Sequence, residues 1–409
     1  MKILFLTQYF PPETGAPQNR LFATAKALRS RGAEVTVLTA MPNYPDNRIQ
    51  PAYKGRMYMR EGMDGLDVHR SWIFVSASRG ILARLLNYFS FVFSSLVVGL
   101  FKLKRSDILF VESPPLFLGI TAMLLARAKR AKLVFNVSDL WPESAVQLGL
   151  VTNRTLIGWS TRLEMRCYRR SALITGQTQG IVANIAARCP DKKVLWVPNG
   201  VDFSAINEAN NCGPSDVRQR MGIAPTDLVL AYAGIIGHAQ GLEVVLHAAD
   251  LLREHRNIHF LLLGDGPEKG KLQALKETFG DIQVRFVDRL PRTELLALMR
   301  SIDAVVVPLR KNDLFKGAIP SKIFEALALG KPLLLGVEGE ARDLFIEQGR
   351  SGLFFEPENP RALADAVLKY DRDRALVASH GANGERYVRE HFDRARISER
   401  LWEALNELG

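Results

Sequence analysis

The stretch AVVVPLRKNDLFKGAIPSKIFEALALGKP, residues 304–332, contains a strand, a loop and a helix in that order. The β-branched run Ala304–Leu309 predicts a buried strand. The Gly-, Pro- and Lys-containing segment behind it predicts a loop, and a helix is expected from about Ser321. Gly330 and Pro332 are typical of a helix end. The stretch therefore predicts one βα unit with its loop at the N-terminus of the helix.

This loop has the composition of a diphosphate-binding site. The start of a helix presents unpaired backbone N–H groups and a partial positive charge. Lys316 and Lys322 add full charges beside it, and Gly317 lets the backbone approach a ligand closely. Glu325, about one turn into the helix, suits the paired hydroxyls of a ribose. The alternative is an ordinary βα loop with solvated lysines, and the segment alone leaves both interpretations open.

Composition predicts an intracellular enzyme of two or three domains, since the chain has 409 residues and 47% of them are hydrophobic. Its three cysteines, Cys167, Cys189 and Cys212, show neither disulfide nor metal-ligand spacing. Charge is uneven: residues 1–200 hold 27 Lys and Arg against 12 Asp and Glu, a balance of +15 within the total of +11. A basic half predicts a phosphorylated substrate or an anionic membrane surface. Nucleic acid ranks behind these partners, because no nucleic-acid-binding motif accompanies the charge.

Apolar runs alternate with amphipathic stretches along almost the whole chain. The first set of predicted strands is Lys2–Tyr9, Glu34–Thr39, Ile108–Glu112, Leu133–Asp139, Ala172–Gly176 and Val194–Pro198. The second set is Leu228–Gly234, Ile258–Leu263, Val284–Val287, Ala304–Leu309, Pro332–Val337 and Gly352–Phe355. Such alternation predicts two tandem doubly wound, Rossmann-like α/β domains with a ligand cleft between them. The predicted boundaries are 1–205 for the first domain, 206–222 for a linker, 223–385 for the second domain, and 386–409 for a C-terminal helix that returns to the first.

The sequence matches neither of two common nucleotide-binding motifs, the dinucleotide-binding fingerprint and the Walker A motif. The segment from Gly264 to Gly270 approaches G-x-G-x-x-G, but its last glycine is one place late and Pro267 stands where the helix begins. No Walker A pattern is present. A dinucleotide domain and a P-loop NTPase are therefore both disfavoured.

Seven motifs in order resemble a known family. They are FLTQYFPPETGAPQNR (5–20), TAMPNYP (39–45), SDLWPESAVQLG (138–149), VPNGVD (197–202), AGIIGHAQGLE (233–243), LLLGDGPEK (261–269) and LFKGAIPSKIFEALALGKP (314–332). Together they resemble family 4 glycosyltransferases of the GT-B fold, in the branch that builds bacterial O-antigen, capsule and colanic-acid-type polysaccharides. The resemblance implies that the C-terminal domain holds a nucleotide-sugar donor and the N-terminal domain holds the acceptor.

The resemblance also implies particular donor contacts. Lys316–Lys322 would hold the diphosphate, Glu325 the ribose, and Gly15 with Ala16 the sugar phosphate. The full set of implied donor-binding residues is Gly15, Ala16, His238, Gly264, Gly266, Arg289, Lys316, Gly317, Ala318, Ile319, Pro320, Ser321, Lys322 and Glu325. For Gly264 and Gly266 the alternative is a plain tight turn.

This chain departs from the family pattern in three places. Gly317 replaces the first glutamate of the E-x7-E motif. Ile235 and Gln240 replace an arginine and a lysine that many members carry, so the phosphate charge is expected from the loop lysines, aided by His238. Ser138 stands where many members have a histidine near the reacting sugar, and Asp139 follows it.

Asp139 is the leading candidate for the group that acts on the acceptor hydroxyl, because a carboxylate at a strand end faces the ligand edge. Glu143, in the same turn, is the second candidate, and a helix-capping role for Asp139 is the alternative. The resemblance implies a retaining reaction without metal or other cofactor. The D-x-D at Asp371–Asp373 is expected to be a solvated helix face.

Between Arg84 and Lys102 lie 17 uncharged residues with basic clusters on both sides. This segment predicts either a helix that dips into an anionic bilayer through Phe89, Phe91 and Phe93, or a buried core helix.

The combined expectation is a retaining transferase that moves an N-acetylated sugar from a UDP donor to a polyprenyl-diphosphate-linked saccharide. It would be cytoplasmic and peripheral on the inner membrane. The alternatives are another GT-B nucleotide-sugar enzyme, such as a 2-epimerase, and a non-catalytic subunit of a glycan-assembly complex.

Overall fold

A computed structural model describes residues 1–13, 15–44, 47–76, 81–147, 151–203, 206 and 217–408. It divides the chain into two units, Met1–Asn199 with Arg394–Gly409 and Gly200–Asp393. The first boundary lies earlier than the predicted residue 205, and the second lies later than residue 385. Position 386 falls inside one continuous helix, Arg374–His391. Most of the predicted linker, residues 207–216, lies outside the described residues.

The first unit is built on an eight-stranded sheet of order β3-β4-β2-β1-β5-β6-β7-β8. Its strands are β1 (Lys2–Leu6), β2 (Glu34–Ala40), β3 (Tyr58–Met63), β4 (Leu66–Ser71), β5 (Ile108–Ser113), β6 (Lys132–Val137), β7 (Leu173–Gly176) and β8 (Val194–Trp196). Its helices are α1 (Ala16–Ser30), α2 (Ile81–Lys102), α3 (Leu118–Lys129), α4 (Glu143–Gln147), α5 (Arg154–Arg170) and α6 (Gln179–Arg188), with a 3-10 turn at Pro51–Tyr53. The C-terminal helix Arg394–Asn406 also belongs to this unit.

Two apolar cores cover the two faces of this sheet. One contains side chains of α2, α3 and α5, such as Phe91, Leu125 and Tyr168. The other contains side chains of α1 and the C-terminal helix, such as Leu21 and Leu401. Parallel strands buried on both faces explain the near-continuous apolar runs in the sequence.

The strands β3 and β4 are absent from the sequence prediction. They form an antiparallel hairpin, and β4 then pairs in parallel with β2. The turn is Asp64-Gly65, with φ of 48° and 78°. An Asp-Gly pair between alternating residues is a strong hairpin signal, since both central residues need positive φ. The edge strand β3 is half-exposed and mixed in polarity, so it has no apolar run to detect.

The second unit contains a six-stranded parallel sheet of order β11-β10-β9-β12-β13-β14. Its strands are β9 (Leu228–Ala233), β10 (Ile258–Leu263), β11 (Val284–Val287), β12 (Ala304–Pro308), β13 (Leu333–Gly336) and β14 (Gly352–Phe354). Its helices are α7 (Val217–Arg220), α8 (Glu243–Leu251), α9 (Lys269–Phe279), α10 (Arg292–Ser301), α11 (Lys322–Ala328), α12 (Glu340–Arg342), α13 (Pro360–Arg372) and α14 (Arg374–His391). Turns of 3-10 helix occupy His238–Gln240 and Asp313–Gly317, and Asp343–Gln348 is π-helical. The prediction of two Rossmann-like α/β domains is confirmed.

In each sheet the strand order reverses beside the first strand of the unit. In the first unit this switch lies between β1 and β5, and in the second between β9 and β12. The loops on either side of a switch diverge to opposite faces and leave a crevice at the carboxyl ends of the strands, where open α/β sheets bind ligands. The fold therefore places one candidate crevice in each unit.

Candidate functional site

The crevice of the second unit lies between the loops that follow β9 and β12. The two loops are joined directly: the backbone N–H of Arg310 donates to the Ala239 carbonyl at 3.0 Å, and Arg310 Nε donates to the His238 carbonyl at 2.7 Å. His238 itself is exposed in a short 3-10 turn. The structure thus brings the predicted His238 loop beside the predicted lysine loop.

Lys322 points back towards the end of β9. Its Nζ lies 3.5 Å from the centre of the Tyr232 ring, and a Cβ added at Gly234 would be 3.0 Å from the same atom. Burial lowers the pKa of Lys322 from 10.5 to about 7. Ile235, at the position of the missing arginine, is 55% exposed. The amine of Lys322 therefore sits beside the loop in which the family's cationic pair is missing.

The remaining residues of the lysine loop contribute differently. Lys316 is exposed and pairs with Asp313 at 2.7 Å, which holds the pKa of the lysine above its ordinary value. Gly317 and Glu325 are exposed, and Ala318, Ile319 and Pro320 are half-buried, with Ser321 exposed at the helix start. The helix α11 has only seven residues, so its dipole is weaker than a long helix would supply. Of the two predicted lysines, Lys322 is the one with no carboxylate within ion-pair distance among the residues that the structure describes.

Gly264 and Gly266 pack the loop after β10 against the loop after β9. A Cβ at Gly264 would lie 1.9 Å from the Gly234 carbonyl oxygen, and one at Gly266 would lie 2.3 Å from that of Ile236. Gly264 has a φ of 135°, which side-chain-bearing residues rarely adopt. Close backbone approach therefore accounts for both glycines. Arg289 is exposed two residues beyond β11.

In the first unit, Gly15 and Ala16 begin α1 immediately after the loop that follows β1. A Cβ on Gly15 would lie 2.4 Å from Gln18 Oε1, an atom that is buried and has no hydrogen-bond partner among the described residues. Glycine at this position therefore leaves room for the buried Gln18 amide against the start of α1. The placement agrees with the crevice between β1 and β5.

A buried polar network lies at the same edge, and the sequence analysis missed it. Arg20, on α1, donates to Glu112 Oε1 at 2.5 Å and to Ser138 Oγ at 2.7 Å. Ser138 Oγ also donates to Glu112, and Asn136 Nδ2 donates to the other carboxylate oxygen. Thr175 Oγ1 donates to Asn136 Oδ1 at 2.5 Å. Four adjacent elements, α1, β5, β6 and β7, are thereby joined at their ligand-facing ends.

This network determines the hydrogen-bond partners of the Ser138 hydroxyl. Its hydroxyl is held between a guanidinium and a carboxylate, so Ser138 is not a free replacement for the family's histidine. A sequence signal for the network exists, because Glu112, Asn136 and Thr175 are polar residues at buried positions of predominantly apolar strands. Buried polar groups require partners, so a coordinated cluster was predictable.

Asp139 follows the network residue Ser138 and is exposed at the end of β6. Its Oδ2 accepts a hydrogen bond from Ser144 Oγ at 2.8 Å. Desolvation raises the pKa of the Asp139 carboxyl, and the hydrogen bonds from Ser144 and the Leu140 backbone oppose that rise. Glu143, the second candidate, is exposed at the start of α4. Asp139 thus holds the local turn through Ser144 while its carboxylate remains at the crevice edge.

Glu13 is a further acidic residue that the sequence analysis overlooked. It is 2% exposed, and its Oε1 accepts hydrogen bonds from the backbone N–H groups of Asn43 at 2.7 Å and Tyr44 at 2.8 Å. Burial raises the pKa of its carboxyl. Glu13 therefore ties the loop after β1 to the loop after β2.

The D-x-D segment has a structural role. Asp373 caps α14 by accepting from the Leu376 backbone N–H at 3.0 Å. Asp371 accepts from Asn257 at 2.8 Å and pairs with Arg374. Within the described ranges, no three His, Cys, Asp or Glu side chains come together as a metal site.

Helix α2 is half core and half surface. Phe91 is fully buried, so its predicted insertion into a bilayer is wrong, whereas Phe89 and Phe93 are 43% and 68% exposed. The buried side is held by hydrogen bonds, including Asn87 Nδ2 to the Phe74 carbonyl at 2.6 Å and Thr121 Oγ1 to the Val92 carbonyl at 2.7 Å. By length and composition, Leu85–Lys102 is the one described helix that reaches membrane-spanning dimensions. The buried-core alternative is therefore correct for one face of this helix, and contact of the other face with a bilayer stays a prediction.

Comparison with known proteins agrees with this geometry. Residues 15–200 match the glycosyl transferase 4-like domain, and residues 215–387 match glycosyl transferases group 1. The chain is 25% identical to a protein of Escherichia coli (strain K12) described as a colanic acid biosynthesis glycosyl transferase, WcaI, over 97% of this chain and 98% of that one.

Solved structures share the fold. Sucrose-phosphate synthase from Thermosynechococcus elongatus has a TM-score of 0.75 at 16% identity and covers 100% of this chain and 98% of its own. HepE from Anabaena, in complex with UDP and glucose, has a TM-score of 0.71 at 18% identity over 100% of both chains. With both domain models matched in order, the chain belongs to the family 4 glycosyltransferases of the GT-B fold and is a nucleotide-sugar-dependent glycosyltransferase.

Proposed function

We propose that the protein transfers an N-acetylated sugar, with retention of configuration, from a UDP-sugar to a polyprenyl-diphosphate-linked saccharide in bacterial surface-polysaccharide synthesis. The relative named for colanic acid biosynthesis, which matches over the whole chain, supports the polysaccharide. The structural relative solved with UDP and glucose supports a UDP donor. The basic first unit and the exposed side of α2 support work at the cytoplasmic face of an anionic membrane, where a lipid-linked acceptor is presented.

The observation that carries the donor assignment is the position of Lys322. Its amine lies beside the glycine-rich turn at the strand-order reversal of the second unit. A leaving diphosphate accumulates negative charge as the glycosidic bond breaks, and a cation held beside it stabilises that charge. In this proposal, Lys322 stabilises the leaving diphosphate, Glu325 binds the ribose hydroxyls and Asp139 acts on the acceptor hydroxyl. None of these roles requires a metal.

A thermal-shift screen tests the donor class. UDP and UDP-N-acetylhexosamines should raise the melting temperature more than GDP, ADP and their sugars, because a ligand stabilises the state that binds it. A larger shift with GDP- or ADP-sugars would replace the UDP assignment. Release of free 2-epimerised sugar would favour the epimerase alternative. Absence of both nucleotide-sugar binding and slow hydrolysis would favour the non-catalytic subunit.

Replacing Lys322 by Met is expected to weaken UDP binding about 10- to 100-fold, since a charge-assisted hydrogen bond to phosphate contributes about 1.5–3 kcal/mol. Burial lowers the pKa of Lys322 to about 7 in the folded protein, from an ordinary value of 10.5. The free-energy cost of burying the charged amine in the folded protein is therefore full below pH 7 and disappears as the pH rises to 10.5. The variant, which lacks this amine, should be more stable than the parent at neutral pH. Calorimetry for affinity and denaturant unfolding for stability measure the two effects.

Lys331→Met is the matched control. Burial also lowers the pKa of Lys331, but its Nζ donates to the Ile302 carbonyl at 2.8 Å and it follows the far end of α11. UDP affinity should be unchanged in this control. Lys316→Ala should cost less affinity than Lys322→Met, because Asp313 already neutralises Lys316. Equal UDP affinity in the parent and the Lys322→Met protein would contradict the donor assignment.

A further inference from the structure

The outer surface of helices α2, α3 and α5 has features of a lipid-binding face. α3 packs against both α2 and α5, and all three contribute to the same core on one side of the sheet. Their exposed sides therefore point away from the sheet in a common direction. We refer to these exposed sides together as the three-helix face.

One part of the three-helix face is a continuous apolar stripe on α2. Six exposed residues recur at helical spacing, and none of them is polar: Leu86, Phe89, Phe93, Val97, Leu100 and Phe101. Phe93 is 68% exposed and Phe101 is 80% exposed. Leu124 on α3 and Trp159 on α5 extend the apolar surface, at 47% and 67% exposure. Large exposed apolar patches of this kind mark interaction sites.

The other part is a row of arginines on α5. Arg162, Arg166, Arg169 and Arg170 are all exposed and line one shallow groove with Met165. None of the four has an ion-pair partner within the part of the chain that the structure describes. Like charges at a spacing of three and four residues repel each other, so such a row is unfavourable unless anions bind to it.

The three helices contain a single acidic residue, Glu164. It is 2% exposed and paired with Arg188, which lies on α6. The three-helix face therefore offers cations and apolar groups but no exposed carboxylate. A second copy of this chain would place like charges against each other, and a nucleic acid would leave the apolar stripe uncovered. An anionic lipid surface would both pair with the arginines and cover the apolar stripe.

We propose that the arginine row of α5 binds the phosphates of anionic phospholipid headgroups while the apolar stripe of α2 enters the same leaflet, so that the first unit docks by the three-helix face without spanning the bilayer. The core packing of Phe91 and the Thr121–Val92 hydrogen bond hold the other side of α2 to the domain. This inference rests on the proposed membrane-linked acceptor, because it explains how the transferase reaches one. Trp159 lies on α5 at helical spacing from Arg162 and Arg166, and exposed indole side chains favour membrane interfaces.

Flotation of the full chain with vesicles tests the docking surface. Vesicles of phosphatidylcholine alone are compared with vesicles that also contain phosphatidylglycerol. The parent should bind the anionic vesicles much more tightly, and salt should weaken that binding. Arg162→Gln/Arg166→Gln/Arg169→Gln should lower affinity for anionic vesicles roughly 100-fold, at about fivefold per arginine, and leave weak binding to neutral vesicles intact. Phe93→Ser/Phe101→Ser should instead remove the binding that persists at high salt.

The matched control removes the same charge from the other unit. Arg361→Gln/Arg372→Gln/Arg386→Gln replaces exposed arginines there and should leave flotation unchanged. Equal losses in the two triple variants would mean that net charge alone drives binding, which overturns the arginine row. No loss in the α5 variant would do the same. If inorganic pyrophosphate released the parent from anionic vesicles, the arginine row would be assigned to binding a soluble diphosphate instead of lipid headgroups.

UDP binding by the same proteins separates this proposal from the donor assignment. All variants should bind UDP as the parent does, because none of the changed residues belongs to the second unit's crevice. A parent that binds UDP but floats with neither vesicle would overturn the docking surface and leave the transferase standing. Loss of UDP binding in the α5 variant would also overturn the lipid assignment.

Discussion

An Asp139→Asn protein is expected to turn over about 10²–10⁴-fold more slowly than the parent, with UDP-sugar affinity near normal. Asparagine keeps the size of the side chain and an oxygen that accepts from Ser144, but it takes up no proton from an acceptor hydroxyl. Lys322 and Glu325, the main donor-binding candidates, lie in the other unit, so binding of the donor should be little affected by this change. Turnover with a polyprenyl-diphosphate saccharide, together with calorimetry, measures the two quantities.

The pH profile adds an independent readout of Asp139. Desolvation raises the pKa of this carboxyl, so the rate should fall as the pH drops through a value above the ordinary range for aspartate. Ser144→Ala removes a hydrogen bond that lowers the same pKa, and the acid limb should therefore move to higher pH. An unchanged acid limb would mean that another group controls it.

Glu143→Gln is the matched control, because it removes a neighbouring carboxylate from the same turn. A large loss of turnover in this variant, with little loss in Asp139→Asn, would exchange the two assignments.

The stability of Asp139→Asn distinguishes a catalytic role of Asp139 from a helix-capping role. Asparagine retains an oxygen that accepts from Ser144 Oγ, so Asp139→Asn should unfold no more easily than the parent at neutral pH. Marked destabilisation would instead show that Asp139 is needed to hold the turn.

Removal of Arg20 is expected to destabilise the first unit by about 3–5 kcal/mol, because it leaves the Glu112 charge buried without a partner. Arg20 is 8% exposed and Glu112 is 3% exposed, and the two bond at 2.5 Å. Arg20→Met keeps much of the apolar stem and deletes the guanidinium. Denaturant unfolding of the parent and the variant gives the difference in unfolding free energy.

Two comparisons make the Arg20 result specific. Arg60→Met breaks an exposed pair with Asp67 and should cost at most about 1 kcal/mol. Arg20→Met/Glu112→Gln should be more stable than Arg20→Met alone, because the lone buried charge is gone. A single variant as stable as the parent would show that the network does not hold these elements together.

Local sequence was sufficient for most of the fold. All twelve predicted strands coincide with observed ones to within a few residues, since buried parallel strands need nearly continuous apolar runs such as Ala304–Pro308. The helix stop at Gly330 is also found, with a φ of 66° at that glycine. The hairpin β3–β4 escaped detection, because an edge strand needs no apolar run and only its Asp64-Gly65 turn announces it.

The candidate site, like the fold, was predicted in part from local motifs and in part only from the tertiary structure. Motifs placed the lysine loop, the turn at Gly264 and Asp139 at strand ends, because a loop that follows a parallel strand lies at the ligand edge wherever the strand stands in the sheet. The order of the strands is a tertiary property. Only that order shows that the loops after β9 and β12 flank the switch point of the second unit.

Sequence by itself determined the period of the elements, the two-domain arrangement and the family, because these follow from local patterns of apolar, turn and motif residues. Tertiary structure alone decided which distant side chains meet. It joins Arg20 to Glu112 and Lys322 to Tyr232. It also turns Phe91 into the core and Phe93 to the surface of a helix whose composition is predominantly apolar. Burial, charge pairing and pKa values depend on neighbours in space, and neighbours far apart along the chain leave no local pattern.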